Sequence, residues 1–312
     1  MTPEQPSRIS VIDPISPAVE RVKTLLFKPF DLGKWFTIGF CAWLAYLGTG
    51  GSGGGGGGNW NASRGQHQAK IAESVNAAKE YFLENLSWII PVAVIAAVLI
   101  IGIGLLVTWL NSRGRFMFLH CVAENKSEVK VPWHKFRKHG NSLFLFRVVL
   151  GLIGLAIVAV PITGIVLFIM MAEAAKYAVI VFVPITIILG LIVFVLAIAL
   201  SLVSKFTFDF VVPIMFLRTA SCTAGWREFL TILSVNKARL ALYIIFQIVI
   251  AIAIGTIVFI GFCIGCCFCC ASMLLFIPYI GTVILLPLFV FKLAYSLYYL
   301  RQFGPSFDVF SI

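Results

Sequence analysis

Cys263, Cys266, Cys267 and Cys270 stand at positions i, i+3, i+4 and i+7, a spacing that puts four side chains on one face of a helix. Thiolates arranged in this way bind a soft cation such as Cu(I). In an oxidising compartment they pair as disulfides instead. Cysteine is also small and soft, and packs well among apolar neighbours. Cys269 sits beside the four, and no histidine accompanies them. The bland packing role therefore has the stronger claim, and no metal or other cofactor is expected. Cys41, Cys121 and Cys222 are scattered along the chain.

Ionisable and amide side chains within apolar stretches are the next candidates, because charge in a membrane is costly and is kept for a reason. Asp209, Gln247 and Lys292 are the three intramembrane polar candidates. Lys205 precedes Asp209 by four residues, the separation of an ion pair on one helix face. Lys292 can snorkel along its stem to the interface or pair with Asp209. Gln247 can hydrogen-bond between helices. A solute pathway needs a continuous polar line near the bilayer midplane, and these residues make a thin one. Glu173 and Lys176 fall in a short outer turn. No His-Glu-x-x-His, nucleophile elbow or carboxylate pair is found, so the chain is not expected to be an enzyme. Gly48 to Gly58 is glycine except at Thr49 and Ser52, but lacks the Lys-Ser/Thr ending of a phosphate loop, and reads as a flexible linker. Asn61-Ala62-Ser63 is a glycosylation sequon of the outer segment.

The elements that carry these residues follow from composition. The 312 residues are 60% hydrophobic and 12% charged, against about 25% charged in soluble domains. The apolar residues fall in long uncharged blocks, which is the pattern of membrane-spanning helices. The expected fold is all-α, a polytopic transmembrane bundle of about six spans near 35–48, 88–110, 148–171, 179–203, 240–265 and 280–300. Residues 1–34 form a cytoplasmic arm with an amphipathic helix, and 35–312 the transmembrane domain, with the Gly-rich outer linker at 48–58. Trp88 and Trp109 bracket an uncharged stretch about 31 Å long at helical rise, matching a hydrocarbon core with an aromatic at each interface. The first block is short, and a re-entrant segment is the alternative there. Pro161, Pro184 and Pro287 predict kinks in spans three, four and six. Ile71, Val75, Ala78 and Phe82 predict a helix from about residue 68 into span two. The polar arm before the first block is not laid out as a signal peptide.

Charge sets the orientation. Of the 24 Lys and Arg, all but Arg64, Lys70, Lys79 and Lys176 fall on one side of the proposed spans. The positive-inside rule makes that side cytoplasmic, with both termini on it, in the plasma (cytoplasmic or inner) membrane. The net charge of +11 thus reads as topology and lipid contact. The cations lie between apolar blocks without a nucleic-acid motif, so nucleic acid is not an expected partner.

The cytoplasmic segments repeat a unit: a short amphipathic stretch, a polar turn, then a span. In the first, Ser16-Pro17 opens a helix whose apolar face is Val19, Val22, Leu25 and Leu26. In the second, Pro132 opens a stretch with Trp133 and Phe136, and Lys138-His139-Gly140-Asn141 turns into span three. In the third, Thr223 caps a helix carrying Trp226, Phe229, Leu230 and Leu233. The second and third copies share Met-Phe-Leu, at 117–119 and 215–217. Three such units predict a pseudo-threefold bundle with interfacial helices, aromatics toward the acyl boundary and cations toward phosphates. Arg21, Lys23, Lys135, Arg137, Lys138, Arg227, Lys237 and Arg239 are the expected headgroup contacts. His120, His134 and His139 fall in the same basic loop.

Ser16-Pro17 through Lys34-Trp35-Phe36, the glycine tract, and Asn141-Ser142-Leu143-Phe144-Leu145-Phe146-Arg147 resemble a group of uncharacterised six-span prokaryotic membrane proteins. The stretch from Trp226 to Tyr243 is similar to the membrane domain of glycerophosphoryl diester phosphodiesterases. The resemblance implies a helical membrane domain of unassigned role. The chain lacks room for the soluble catalytic domain of those enzymes, so the likeness carries no expectation of hydrolysis. The expected function is a non-enzymatic, lipid-engaging or accessory membrane module. Its expected partners are anionic lipids and an unidentified membrane protein. The alternative is a small-solute or lipid transporter.

Overall fold

The computed structural model describes residues 9–48, 85–171, 178–267 and 277–311. The glycine tract, the sequon, the residue 68 helix, Glu173, Lys176 and Cys270 lie outside them. The described residues are helical and contain no strand.

Eleven α-helices are described: α1 (Ile15–Leu26), α2 (Leu32–Tyr46), α3 (Leu86–Glu124), α4 (Lys130–Lys135), α5 (Arg137–Met171), α6 (Ala178–Phe206), α7 (Val212–Arg218), α8 (Cys222–Val235), α9 (Lys237–Cys267), α10 (Pro278–Ile284) and α11 (Leu286–Arg301). A π-turn, Thr207–Val211, joins α6 to α7. Four stretches are long and apolar enough to cross a membrane: Ser87–Glu124, Arg137–Gly164, Pro184–Arg218 and Lys237–Gly265. They correspond to the expected spans two to five. The first expected span is the 15-residue α2, and the sixth is divided between α10 and α11.

The division has a cause in the sequence. Pro287 has no N–H, and its ring crowds the carbonyl four residues earlier, that of Val283. The chain breaks at Leu285, and the Val283 oxygen accepts a 2.9 Å bond from Trp35 Nε1 of α2. Pro161 and Pro184, by contrast, lie inside the continuous helices α5 and α6.

The buried residues concentrate at one end of the four long helices. α2 packs against α3, α10 and α11, while α1 lies along α11. The end of α3 meets α5, α7 and α11. The π-turn meets α8 and α11. Glycine permits the closest approach: a Cβ on Gly114 would lie 2.5 Å from the Leu44 carbonyl carbon, so α3 touches the α2 backbone there. Aromatic rings fill the rest. Phe210 stacks on Phe229 at 5.3 Å and contacts Tyr243 at 4.9 Å. Phe136 stacks on Phe216 at 4.9 Å and on Phe116 at 5.9 Å.

The apolar arms beyond this body are almost unburied, although α5 and α6 touch each other. In the most apolar window of each long helix, 0%, 6%, 0% and 0% of the residues are buried. In water such surface is a liability. In a bilayer, acyl chains cover it at no cost relative to other apolar side chains.

Several local expectations change. α1 begins at Ile15, directly after Pro14, so Ser16-Pro17 lies inside it. Its buried face is Ala18, Val22, Leu25 and Leu26, and Val19 is exposed. Residues 138–141 are helix, because α5 already starts at Arg137. Gly140 is retained there because Arg113 crowds it: a Cβ would lie 2.9 Å from Arg113 Cγ. Ser221, not Thr223, caps α8 by accepting from the Ala224 N–H. Phe136 and Phe229 are buried in the protein, not turned to the acyl boundary. Both Met-Phe-Leu runs lie on helices of the body, with Met117, Phe118, Leu119, Met215 and Phe216 buried.

Candidate functional site: a polar layer where the apolar arms begin

The site is built from residues placed where the apolar windows end. On α3 the exposed apolar run gives way to Asn111 and Ser112, both buried. The Asn111 amide donates to the Ala45 and Leu47 carbonyls at 2.8 and 2.7 Å, satisfying the frayed end of α2. Its Oδ1 accepts from Arg147 Nη1 of α5, and Ser112 Oγ accepts from the same nitrogen at 3.4 Å. Neutral oxygens therefore hold the Arg147 guanidinium.

One turn along α3 from Asn111, Arg115 lies 4.5 Å from the Tyr46 ring centroid and 4.0 Å from that of Phe208. It hydrogen-bonds Tyr46, while its Nε is buried without a partner among the described residues. Arg147 lies 5.0 Å from the same Phe208 ring. Two guanidinium groups thus share one aromatic side chain.

Phe208 and Asp209 belong to the π-turn, and Pro213 explains it. A regular helix would bond the residue 213 N–H to the Asp209 carbonyl, but proline has no N–H to give. The helix widens, and the Val212 N–H reaches Thr207 O. Single π-turns are frequent at functional sites because they re-aim side chains. Here Asp209 Oδ2 accepts from Lys205 Nζ at 2.7 Å and from the Tyr243 hydroxyl at 3.1 Å. Tyr243 accepts in turn from the buried Gln247 amide at 2.8 Å. Lys205–Asp209–Tyr243–Gln247 is therefore a continuous polar chain across α6, the π-turn and α9. Lys292 of α11 is exposed and lies within electrostatic reach of Lys205, Asp209 and Arg115.

All three intramembrane candidates from the sequence are brought together here. Asp209 pairs with Lys205, and Lys292 stays at longer range. The sequence reading missed Asn111, Ser112, Arg115 and Arg147 as members. Their charge alone places Arg115 and Arg147 between the expected spans two and three, yet both ride on long helices. The available signal was Asn111-Ser112-Arg113-Gly114-Arg115, which continues the helical run from Trp88 without a breaker other than one glycine.

The headgroup candidates divide. Lys23, Lys135, Arg137, Lys138, Arg227, Lys237 and Arg239 are exposed. Arg21 is engaged within the protein: Nε and Nη2 donate to Val122 O at 2.9 and 2.7 Å, and Nη2 to Ala123 O at 2.6 Å. A cation at a helix C-terminus complements the last carbonyls and the dipole, and burial lowers the Arg21 pKa. His120 is a buried residue of α3, 2.9 Å from Glu124, and not a loop residue. The Glu124 carboxylate also accepts from Lys126 and raises the pKa of that ammonium.

Of the cysteine cluster, Cys263 is exposed on α9, and Cys266 and Cys267 end that helix. No group of three or more His, Cys, Asp or Glu is placed to hold a metal among the described residues. Cys222 is buried at the start of α8, and burial pushes its thiol up to about 12.

Comparison with known proteins places the chain without assigning it a role. No curated protein and no solved structure matches it. Nothing links it to glycerophosphoryl diester phosphodiesterases. Residues 9–301, nearly the whole sequence, match a family of unknown function, and the chain therefore belongs to the DUF7544 family.

Proposed function

We propose that this protein is a six-pass, non-enzymatic module of the plasma (cytoplasmic or inner) membrane that engages anionic lipid through a basic cytoplasmic rim. The observation that carries the reading is that Lys135, Arg137, Lys138, Arg227, Lys237 and Arg239 are exposed and form no ion pair among the described residues. Each such charge is worth about 1 kcal/mol near an anionic leaflet. The short helices α1, α4 and α8, lying before α2, α5 and α9, are its interfacial elements. α2 and the α10–α11 pair supply the first and sixth crossings, beside the four long helices.

The orientation rests on charge and on how the chain's ends meet. The Ser10 N–H donates to Gln302 Oε1 at 2.7 Å, and Gln302 Nε2 donates to Ser10 O at 2.9 Å. The Tyr295 hydroxyl donates to Val11 O at 2.8 Å. These bonds support a reading in which the N-terminal arm and the end of α11 share the side of the basic rim.

The test is retention of phosphatidylglycerol during native mass spectrometry, comparing the wild type with the triple variant Lys135→Gln, Arg137→Gln, Lys138→Gln. The variant should lose bound anionic lipid while keeping bound phosphatidylcholine. Equal retention of both by the two proteins would reject the rim as the lipid contact. A lipid or small-solute transporter is the second reading, favoured by the polar chain that extends from Lys205 to Gln247. Flux of labelled lipid or solute in proteoliposomes, lost in Gln247→Leu, would favour it over the accessory role.

A further inference from the structure

We propose that the polar layer is a binding site for a phosphate-class oxyanion, separate from the basic rim and independent of whether the rim binds lipid. The argument is one of charge balance. Arg115 and Arg147 share the Phe208 ring beside Asp209, which pairs with Lys205 and lies within longer electrostatic reach of Arg115 and Lys292. Lys205 already uses Asp209. The remaining three cations have no carboxylate within ion-pair distance among the described residues. Arg147 is even repelled by Arg115.

Uncompensated charge beside apolar arms is costly, and proteins keep it where a ligand supplies the opposite sign. Two guanidinium forks against one ring, with lysines beside them, suit an anion with several oxygens, because planar N–H pairs match phosphate geometry. Neutral groups position the forks: Asn111 and Ser112 hold Arg147, and Tyr46 holds Arg115. Enough donors remain, since a guanidinium carries five N–H groups and Arg115 Nε is unused among the described residues. Asp209, tied to Tyr243 and Lys205, moderates the surplus. The layer lies where the apolar windows end, so a lipid headgroup phosphate and a free phosphate from the cytoplasm share the required chemistry.

The experiment measures binding to the full chain in two settings. In neutral detergent the probe is inorganic phosphate, read by thermal shift. In nanodiscs of phosphatidylcholine, with and without phosphatidylglycerol, the probe is lipid retained in native mass spectrometry. Lys292→Gln is the mildest variant, because Lys292 is exposed and holds no ion pair among the described residues. It should weaken binding about fivefold. Arg147→Gln, which removes charge-assisted bonds, should weaken it about tenfold or more. Asp209→Asn removes the competing anion and should tighten binding, an outcome that a purely structural cluster would not produce. The control, Lys28→Gln, alters an exposed cation outside both the layer and the rim and should leave binding of both probes unchanged. Phosphate stabilisation in detergent with this variant pattern identifies a free oxyanion as ligand. The same pattern for phosphatidylglycerol alone identifies a lipid headgroup. Absence of binding by both probes overturns the proposal, as does weaker binding in Asp209→Asn.

Discussion

The body and the arms of this molecule are both helical, yet opposite rules hold them. The arms are the more apolar: the windows in α3 and α6 reach a mean hydropathy of 3.0. They are nevertheless almost unburied. The body, with Asn111, Ser112, Arg113, His120, Thr207, Gln247 and Ser296 buried outright and Arg115 and Asp209 half-buried, is where the packing lies. Burial within protein therefore does not track hydropathy here. It tracks shape: stacked aromatic rings, glycine at helix contacts, and carbonyls and amides that find partners. The arms need only match acyl chains, and any apolar side chain does that. The body must exclude both water and lipid, and only complementary side chains do that.

Perturbing each region in turn should break or sharpen the contrast. The largest effect is expected at Phe210, which touches Phe206, Phe229, Tyr243 and Tyr299. Phe210→Ala should lose about 3–5 kcal/mol, measured by thermal unfolding in detergent. A change inside experimental error would remove the aromatic hub from the account. Gly114→Ala comes next. Its new Cβ would meet the Leu44 and Ala45 backbone at 2.5 and 2.6 Å, and backbone cannot yield as a side chain does. A loss of about 1–3 kcal/mol is expected, with α2 displaced from α3.

The thiols discriminate the regions by access. At pH 8 the Cys222 thiol stays protonated, since burial has moved it to about 12. A water-soluble maleimide should leave it unlabelled in the folded protein and label it in denaturant. Cys263, exposed on an arm, should resist the same reagent in a bilayer but react with an apolar one. Aqueous labelling of Cys263 in nanodiscs would mean that this arm is not in lipid. The smallest effects belong to the arms. Gly102, with nothing within 4 Å of a built Cβ, and Val98, 63% exposed, should tolerate alanine within about 0.5 kcal/mol.

The long helices were legible because each carries its signal locally. An uncharged run bracketed by Trp88 and Trp109 declares a span whatever surrounds it. The pairing of Lys205 with Asp209 was legible for the same reason, being set by helical spacing. The polar layer was not. Arg147 and Asn111 are 36 positions apart, and nothing in their local sequence names the other. By charge alone the stretch after Trp109 reads as part of a basic loop between spans two and three. In the structure Arg113 to Glu124 continues α3 through Gly114, and only the neighbouring helices show that this extension is covered by protein.

What the sequence by itself determined is the class and the level: helices of membrane length, cations gathered between the apolar blocks, and proline placed where a carbonyl must be released. These depend on residue type and near spacing, which the chain carries with it. Tertiary structure alone decided which polar groups meet. Asn111, Arg115, Arg147, Asp209, Tyr243, Gln247 and Lys292 come from four separate helices and one π-turn. Their convergence is a property of how those elements pack, and packing depends on the shapes of distant surfaces.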